Sequence, residues 1–134
     1  MVLGSKAGAI RDGAARFRDK IDRELKAGVI TLLLLLVVDR RGPAYGYQIL
    51  KAVREMSAGR FEFAEGTAYP LLSNLERMGL VTSYWADGDA GPRRKYYQIT
   101  ATGKSALDGA LDEWHSLSTS VDRVIRQVAK EERT

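Results

Sequence analysis

The spacing of apolar residues changes at Gly79, and that change constrains what the chain can fold into more than any other feature. Before it, apolar residues recur at helical intervals: Ile21, Leu25, Val29, Leu32, Leu33 and Leu36, then Ile49, Leu50, Val53 and Met56, then Leu71, Leu72, Leu75 and Met78. Each set lines one face of a helix. After Gly79, residues 80–85 (Leu-Val-Thr-Ser-Tyr-Trp) and 95–99 (Lys-Tyr-Tyr-Gln-Ile) are short, β-branched and aromatic, which predicts two strands. The Gly, Asp and Pro content of residues 86–94 between them is that of a hairpin tip. Helical spacing then returns in Leu107, Leu111, Trp114, Ser118, Val121, Ile125 and Val128, with the alternating four and three of a coiled-coil seam.

Punctuation residues bound these elements. Gly42-Pro43 stops a first helix of roughly 19 residues predicted from Ile21. A second helix is predicted over residues 45–56 and ends at Ser57-Ala58-Gly59; Gly79 is the left-handed C-cap expected of the third, and Thr100 the N-cap of the last. Residues 1–20 are rich in Gly, Ala, Lys and Arg and read as a mobile or weakly helical arm. The resulting division is an arm (1–20), a DNA-binding unit (21–100), and a C-terminal dimerisation helix and tail (101–134).

A chain of 134 residues fits one domain, and the absence of cysteine excludes disulfides, thiolate nucleophiles and cysteine-based metal sites. The apolar run at residues 27–38 falls well short of the roughly 20 residues a spanning helix needs, so it reads as a buried helix. No signal peptide is recognisable in the mixed charges of the first 26 residues, and a cytoplasmic location is expected. A net charge of +4 leans toward an acidic partner, and only the position of the charges makes that specific.

The predicted order of helix, two short helices, β-hairpin and long helix is the winged helix-turn-helix plan, mainly α with a small β-hairpin. In that plan the third helix enters the major groove and the hairpin reaches the flanking backbone. Arg93, Arg94 and Lys95 stand where the hairpin returns, as phosphate contacts require. With Thr67 as N-cap, Pro70 falls at N3, where a missing N–H costs nothing, and Thr67 and Tyr69 lead the helix toward DNA. Ser73, Asn74 and Arg77 lie opposite its apolar stripe as candidates for base or sugar-phosphate contact, and Tyr45 joins them from the head of the second helix. One recognition helix reads few base pairs, so a two-fold dimer is expected, with the long last helix as its seam.

Taken together, Gly46-Tyr47-Gln48-Ile49, Glu65-Gly66-Thr67-Ala68-Tyr69-Pro70-Leu71-Leu72, Leu75-Glu76-Arg77-Met78-Gly79-Leu80-Val81, Gly91-Pro92-Arg93-Arg94-Lys95-Tyr96-Tyr97 and Ile99-Thr100-Ala101-Thr102-Gly103-Lys104 resemble the PadR family of transcriptional regulators, in its short subclass with one C-terminal helix. The resemblance spans residues 29 to about 104. It implies a dimeric repressor whose first and last helices make the dimer and whose Tyr–Pro helix reads DNA. It also implies a flat, apolar or aromatic effector bound between the two C-terminal helices near Trp114, a residue that spacing alone places in a packed dimer face. Two departures stand out: the arm before the first helix is long, and Ala68 replaces a larger aliphatic residue.

Other functions find fewer parts. His115 is the single histidine, and Glu113 beside it lies on another helical face, so no catalytic residue is assigned and no cofactor or metal is expected. Asp87 and Asp89 read as turn formers rather than ligands. A winged-helix module that binds protein and no DNA is the alternative, and it would have little use for the basic triplet. An RNA platform is disfavoured because Tyr96 and Tyr97 point to opposite sheet faces and the stacking aromatics are not expected on one face.

Overall fold

The computed structural model describes residues 2–88 and 91–133. Along them the chain forms α1 (Val2–Arg41), β1 (Ala44–Tyr45), α2 (Gly46–Met56), α3 (Glu65–Arg77), β2 (Val81–Gly88), β3 (Gly91–Ile99) and α4 (Ala101–Arg133). The strands make one antiparallel sheet in the order β1-β3-β2. This is the helix-turn-helix with a β-hairpin wing that the periodicity predicts.

The core follows the helical stripes of α2 and α3, whereas α1 turns to it a face other than the stripe Ile21, Leu25, Val29, Leu32, Leu33 and Leu36, none of which is fully buried. Ile30, Leu34, Val37 and Val38 of α1 share one buried cluster with Ile49, Leu50 and Val53 of α2, Ala68, Leu72 and Leu75 of α3, Val81 and Tyr97 of the sheet, and Leu107 of α4. Each large aliphatic side chain removed from water contributes about 1.5–3 kcal/mol, which is what holds three short elements against one another. Stripe residues at the helix ends depart from expectation: Met56 and Met78 are 62% and 58% exposed because each lies at its helix's C-terminal end, past the last turn that faces the core, and Ile21 and Leu25 are exposed because α1 has not yet reached the core there. The apolar run at 27–38 packs inward as expected, and among the described residues no helix is long and apolar enough to cross a membrane.

Three boundaries differ from the sequence reading. The first helix starts at Val2 and not at Ile21, continuing through the segment expected as an arm. Ala-rich composition favours this, and so do ion pairs one turn apart: Asp12–Arg16 at 3.4 Å, Lys20–Glu24 at 3.9 Å and Asp22–Lys26 at 2.9 Å. Large apolar residues are sparse there, Leu3, Ile10 and Phe17 being seven apart, so the helical pattern is weak in the sequence. The hairpin strands run further than residues 80–85 and 95–99, so the basic triplet lies inside β3, with Arg93, Arg94 and Lys95 opposite Asp87, Ala86 and Trp85. Charged and small residues had hidden the alternation there; the tip residues Asp89 and Ala90 lie outside the described residues. Finally, Ala44 and Tyr45 pair with Tyr97 and Tyr96 as a third strand, too short to leave a pattern, and α2 starts only at Gly46.

The helix-turn-helix, the wing and α4 meet at one junction. Past Arg77, Gly79 takes a left-handed conformation (φ 75°), its N–H donates to the Glu76 carbonyl (2.9 Å), and the Leu80 N–H donates to Leu75 (3.0 Å), a Schellman ending that reverses the chain into β2. Thr100 closes the other side. Its N–H donates to the Leu80 carbonyl (3.0 Å), its hydroxyl lies 2.7 Å from the Gly79 carbonyl, and the same oxygen accepts the Gly103 N–H (2.9 Å) as the N-cap of α4. Gly103 is buried so tightly against this turn that a Cβ would collide with the Leu80 carbonyl oxygen and stand 2.7 Å from Ile99 Cγ1.

The Gly103→Ala variant should therefore lose about 3 kcal/mol or fail to fold, because the obstructing atom is backbone. Thr100→Ala should lose about 1–2 kcal/mol and Thr100→Ser much less, since the capping hydroxyl remains. Urea denaturation followed by circular dichroism checks the ranking; equal losses for the Ala and Ser variants would contradict a capping role.

Candidate nucleic-acid interface

Helix α3 begins earlier than Thr67. Ala64, extended at φ −63° and ψ 146°, is the N-cap, Thr67 occupies the third helical position, and its N–H donates to the Ala64 carbonyl at 2.9 Å. Glu65 in the first turn suits the positive end of the helix dipole, which favours the earlier start. Pro70 is thereby displaced from the first turn into the second. It has no N–H, so the Gly66 carbonyl goes without its donor four residues on. Tyr69 lies across Gly46, its ring 3.4 Å from where a Cβ of that residue would stand, so the glycine at the head of α2 admits the aromatic and lets the two helices close.

The sheet register sorts the wing into two faces. Asp87, Trp85 and Ser83 oppose Arg93, Lys95 and Tyr97 on the face toward α3, while Ala86 and Tyr84 oppose Arg94 and Tyr96 on the other. Between α3 and the wing, a cleft of about 430 Å³ is lined by residues of both sheet faces: Tyr45, Tyr69, Ser73, Trp85, Pro92, Arg93, Arg94, Lys95 and Tyr97. Six of the nine residues singled out from sequence thus converge there. Thr67, Asn74 and Arg77 lie outside it on the exposed surface of α3, where the Arg77 guanidinium donates to Asn74 Oδ1.

The three basic residues of the wing are held differently. Arg93 is 67% exposed and sits 3.5 Å from Asp87 across the hairpin, a weak pair in open solvent. Arg94 lies over the Tyr45 ring, its guanidinium carbon 4.4 Å from the centroid. Lys95 turns back toward α3, 3.8 Å from Glu76, whose other oxygen accepts the Ser83 hydroxyl at 2.6 Å. Glu76 and the 59%-exposed Trp85 were not anticipated from sequence. Trp85 was within reach of it, being an aromatic directly opposite Lys95 in the hairpin; Glu76 was not, because its partners lie seven and nineteen residues away.

One expectation is corrected on the outer sheet face. Tyr45, Tyr96 and Tyr84 do lie together there, with ring centroids 5.5 Å apart for the first pair, edge to face, and 5.7 Å for the second, stacked. The third strand brings Tyr45 into line, which pairing two strands alone could not reveal. The rings contact one another and Arg94. Elsewhere, no group of three or more His, Cys, Asp or Glu side chains among the described residues could hold a metal; Asp89 is outside them.

Comparison with known proteins gives this geometry its context. The model of the "Transcriptional regulator PadR-like family" matches residues 33–109, from the core half of α1 into α4. An uncharacterised protein of Lysinibacillus sphaericus is 33% identical over 93 residues, which are 69% of this chain and 82% of that one. The crystal structure of a PadR family transcriptional regulator from Eggerthella lenta is similar with a TM-score of 0.73 at 30% identity, covering 84% of this chain and 96% of that one. A PadR family transcription regulator from Clostridium difficile is 34% identical with a TM-score of 0.61, covering 72% and 98%.

Tyr97 supplies a test of how the cleft floor is built. It is 1% exposed, and burial first, then the neighbouring Glu76 and Tyr69, raise its phenol above the ordinary tyrosine range. The folded state thus holds this proton more firmly than the unfolded chain, so the associated stability is present below about pH 10 and is lost as pH rises past it. In a spectrophotometric alkaline titration, Tyr97→Phe should remove the last-titrating fraction of the tyrosine signal. Loss of an earlier fraction would place Tyr97 in solvent.

Proposed function

Because this chain belongs to the PadR-like family of transcriptional regulators, whose members bind DNA, we propose that it acts as a homodimeric, sequence-specific repressor released by a small apolar or aromatic effector. The observation that carries the DNA-reading part is the convergence of wing and α3 on one cleft, with Arg93 and Arg94 presented on the hairpin beside it. Arg93 is tied only to Asp87 in solvent, and a phosphate can replace that partner at little cost. Tyr45 holds Arg94 extended across its ring, reducing the freedom lost when the guanidinium meets a phosphate. Lys95, Thr67, Tyr69 and Ser73 complete the backbone-positioning set. Asn74 and Arg77 are the base-reading candidates, because their mutual hydrogen bond fixes the guanidinium while its remaining donors stay exposed.

The wing also favours DNA over a module that binds only protein, since two arginines on a hairpin beside α3 are suited to phosphate contacts. A dimer is required by reach: half-sites on one face of DNA lie about 34–36 Å apart, beyond one α3 and its wing. The exposed apolar residues Trp114, Leu117, Val121, Val124, Ile125 and Val128 along α4 supply a face for it.

An effector site is supported by a second cleft, of about 490 Å³, between α1, the segment after α2 and α4. Val29, Leu33, Leu36, Phe61, Leu111 and Trp114 make its apolar walls, and Asp22, Lys26, Arg60 and His115 its rim. Arg60 donates to Asp22 at 2.9 Å, joining the segment that leads into α3 to the wall of this cleft. An occupant acts as an inducer only if it binds the arrangement unable to engage DNA more tightly than the competent one.

Fluorescence-anisotropy titration onto a palindromic promoter fragment and an unrelated duplex, at two salt concentrations, tests the DNA reading. Wild type should prefer the former, with two chains per site, and Arg93→Ala/Arg94→Ala should flatten the salt dependence by about two units of log–log slope. An unchanged slope removes the wing from the mechanism. For the effector, a flat aromatic dye such as anilinonaphthalene sulfonate should quench tryptophan emission in Trp85→Phe but not in Trp114→Phe; the reverse pattern would place binding at the wing.

A further inference from the structure

Among the described residues, Trp85 is a large aromatic side chain of the wing that the fold itself does not use. It is 59% exposed, and no ring contact, hydrogen bond or ion pair among those residues engages its indole. The other aromatics of the hairpin are engaged: Tyr84 and Tyr96 stack with centroids 5.7 Å apart, and Tyr97 is buried in the core. Trp85 stands opposite Lys95 on the sheet face toward α3, and with Tyr69 and Ser73 of that helix it lines the cleft of about 430 Å³ between helix and wing. Leaving most of an indole in water forfeits the burial energy that so large an apolar surface offers, so this position gains from being covered.

We infer that Trp85 contacts DNA in a different way from the wing arginines: its ring packs on a deoxyribose of the strand lying between α3 and the wing, and its indole N–H donates to an adjoining phosphate oxygen. The inference deepens the DNA reading proposed above and rests on it. With α3 in the major groove and the hairpin at the flanking backbone, a sugar–phosphate strand fills the cleft between them. Such a strand alternates anionic phosphates with apolar sugar faces, and the cleft offers both complements, cations from Arg93 and Arg94 and aromatic surface from Trp85 and Tyr69. The acids nearby are already taken, Asp87 by Arg93 and Glu76 by Lys95, so the surroundings stay net positive and suit a polyanion better than an apolar protein surface. Indole fits that occupant chemically, having apolar faces, one donor and no acceptor to repel a phosphate. Sugar packing and a neutral donor release no counterions, so the affinity that Trp85 adds is insensitive to salt, unlike that of the arginines.

Anisotropy titration onto the palindromic promoter fragment at two salt concentrations tests this. Trp85→Ala, with its fold checked by circular dichroism, should bind about tenfold more weakly at both concentrations while keeping the wild-type log–log slope, and Trp85→Phe should recover most of the loss. In full-length wild type labelled with fluorotryptophan, the Trp85 fluorine resonance, assigned by its absence from Trp85→Phe, should shift when duplex is added and lose its dependence on light or heavy water. Absence of salt-sensitive duplex binding by wild type would overturn the DNA reading and this inference together. Salt-sensitive binding with the Trp85 resonance still solvent-exposed would leave the indole to a protein partner and overturn the inference alone, as would undiminished binding by Trp85→Ala. A loss in Trp85→Ala that comes with a flatter slope would make Trp85 a support for Lys95 and Arg93, and would overturn the contact as well.

Discussion

The hydrogen-bonded knot of Thr100, Gly79 and Leu80 is the constraint on which the rest of the structure depends. It is one of the few places where the end of α3, the start of β2, the end of β3 and the start of α4 share atoms, through the bifurcating hydroxyl of Thr100 and the carbonyl of Leu80. Because Gly103 has no side chain, α4 departs in contact with that turn. The direction of the long helix relative to α3 is set here, within a few residues. A movement of α4 would accordingly act on the base of the wing and the end of α3, which is what the proposed effector site between α1 and α4 would need in order to influence DNA.

The wing shows how a modest net charge becomes useful through placement. Strand register divides three consecutive basic residues between two faces, and local partners then give each a different character: Arg93 lightly paired in solvent, Arg94 laid over an aromatic ring, Lys95 drawn back to Glu76. Glu76 also takes the Ser83 hydroxyl, so an acidic residue on α3 ties that helix to the hairpin. The outer sheet face is built in the same economical way, with Tyr84, Tyr96, Tyr45 and Arg94 contacting in sequence. The aromatic order there rigidifies the wing from behind.

The long helices carry the other half of the molecule's chemistry. The C-terminal half of α1 presents one apolar face to its own helix-turn-helix through Ile30, Leu34 and Val38, and another to the Trp114 cleft through Val29, Leu33 and Leu36. A helix apolar on two sides must be covered on both. This explains the density of leucine at residues 32–36, which superficially resembles a membrane segment and in fact sits between two packing surfaces. Asp22, bridging Lys26 and Arg60, marks where α1 leaves the core, and beyond it the helix is sustained by local propensity and ion pairs.

The sequence by itself determined the element order, the core stripes of α2 and α3, the left-handed glycine after α3 and the cap at Thr100, because helical spacing and capping chemistry are local and act within a few residues. It also placed the basic triplet on the hairpin. Other features were decided only by the tertiary structure. The strand Ala44–Tyr45 exists because β3 offers it a free edge, the earlier start of α3 moves Pro70 into the second turn, and α1 reaches Val2 with only sparse large apolar residues to announce it. Which charge meets Asp87, Tyr45 or Glu76 likewise depends on strand register and helix approach, which are relations between segments distant in the chain that no window of sequence contains.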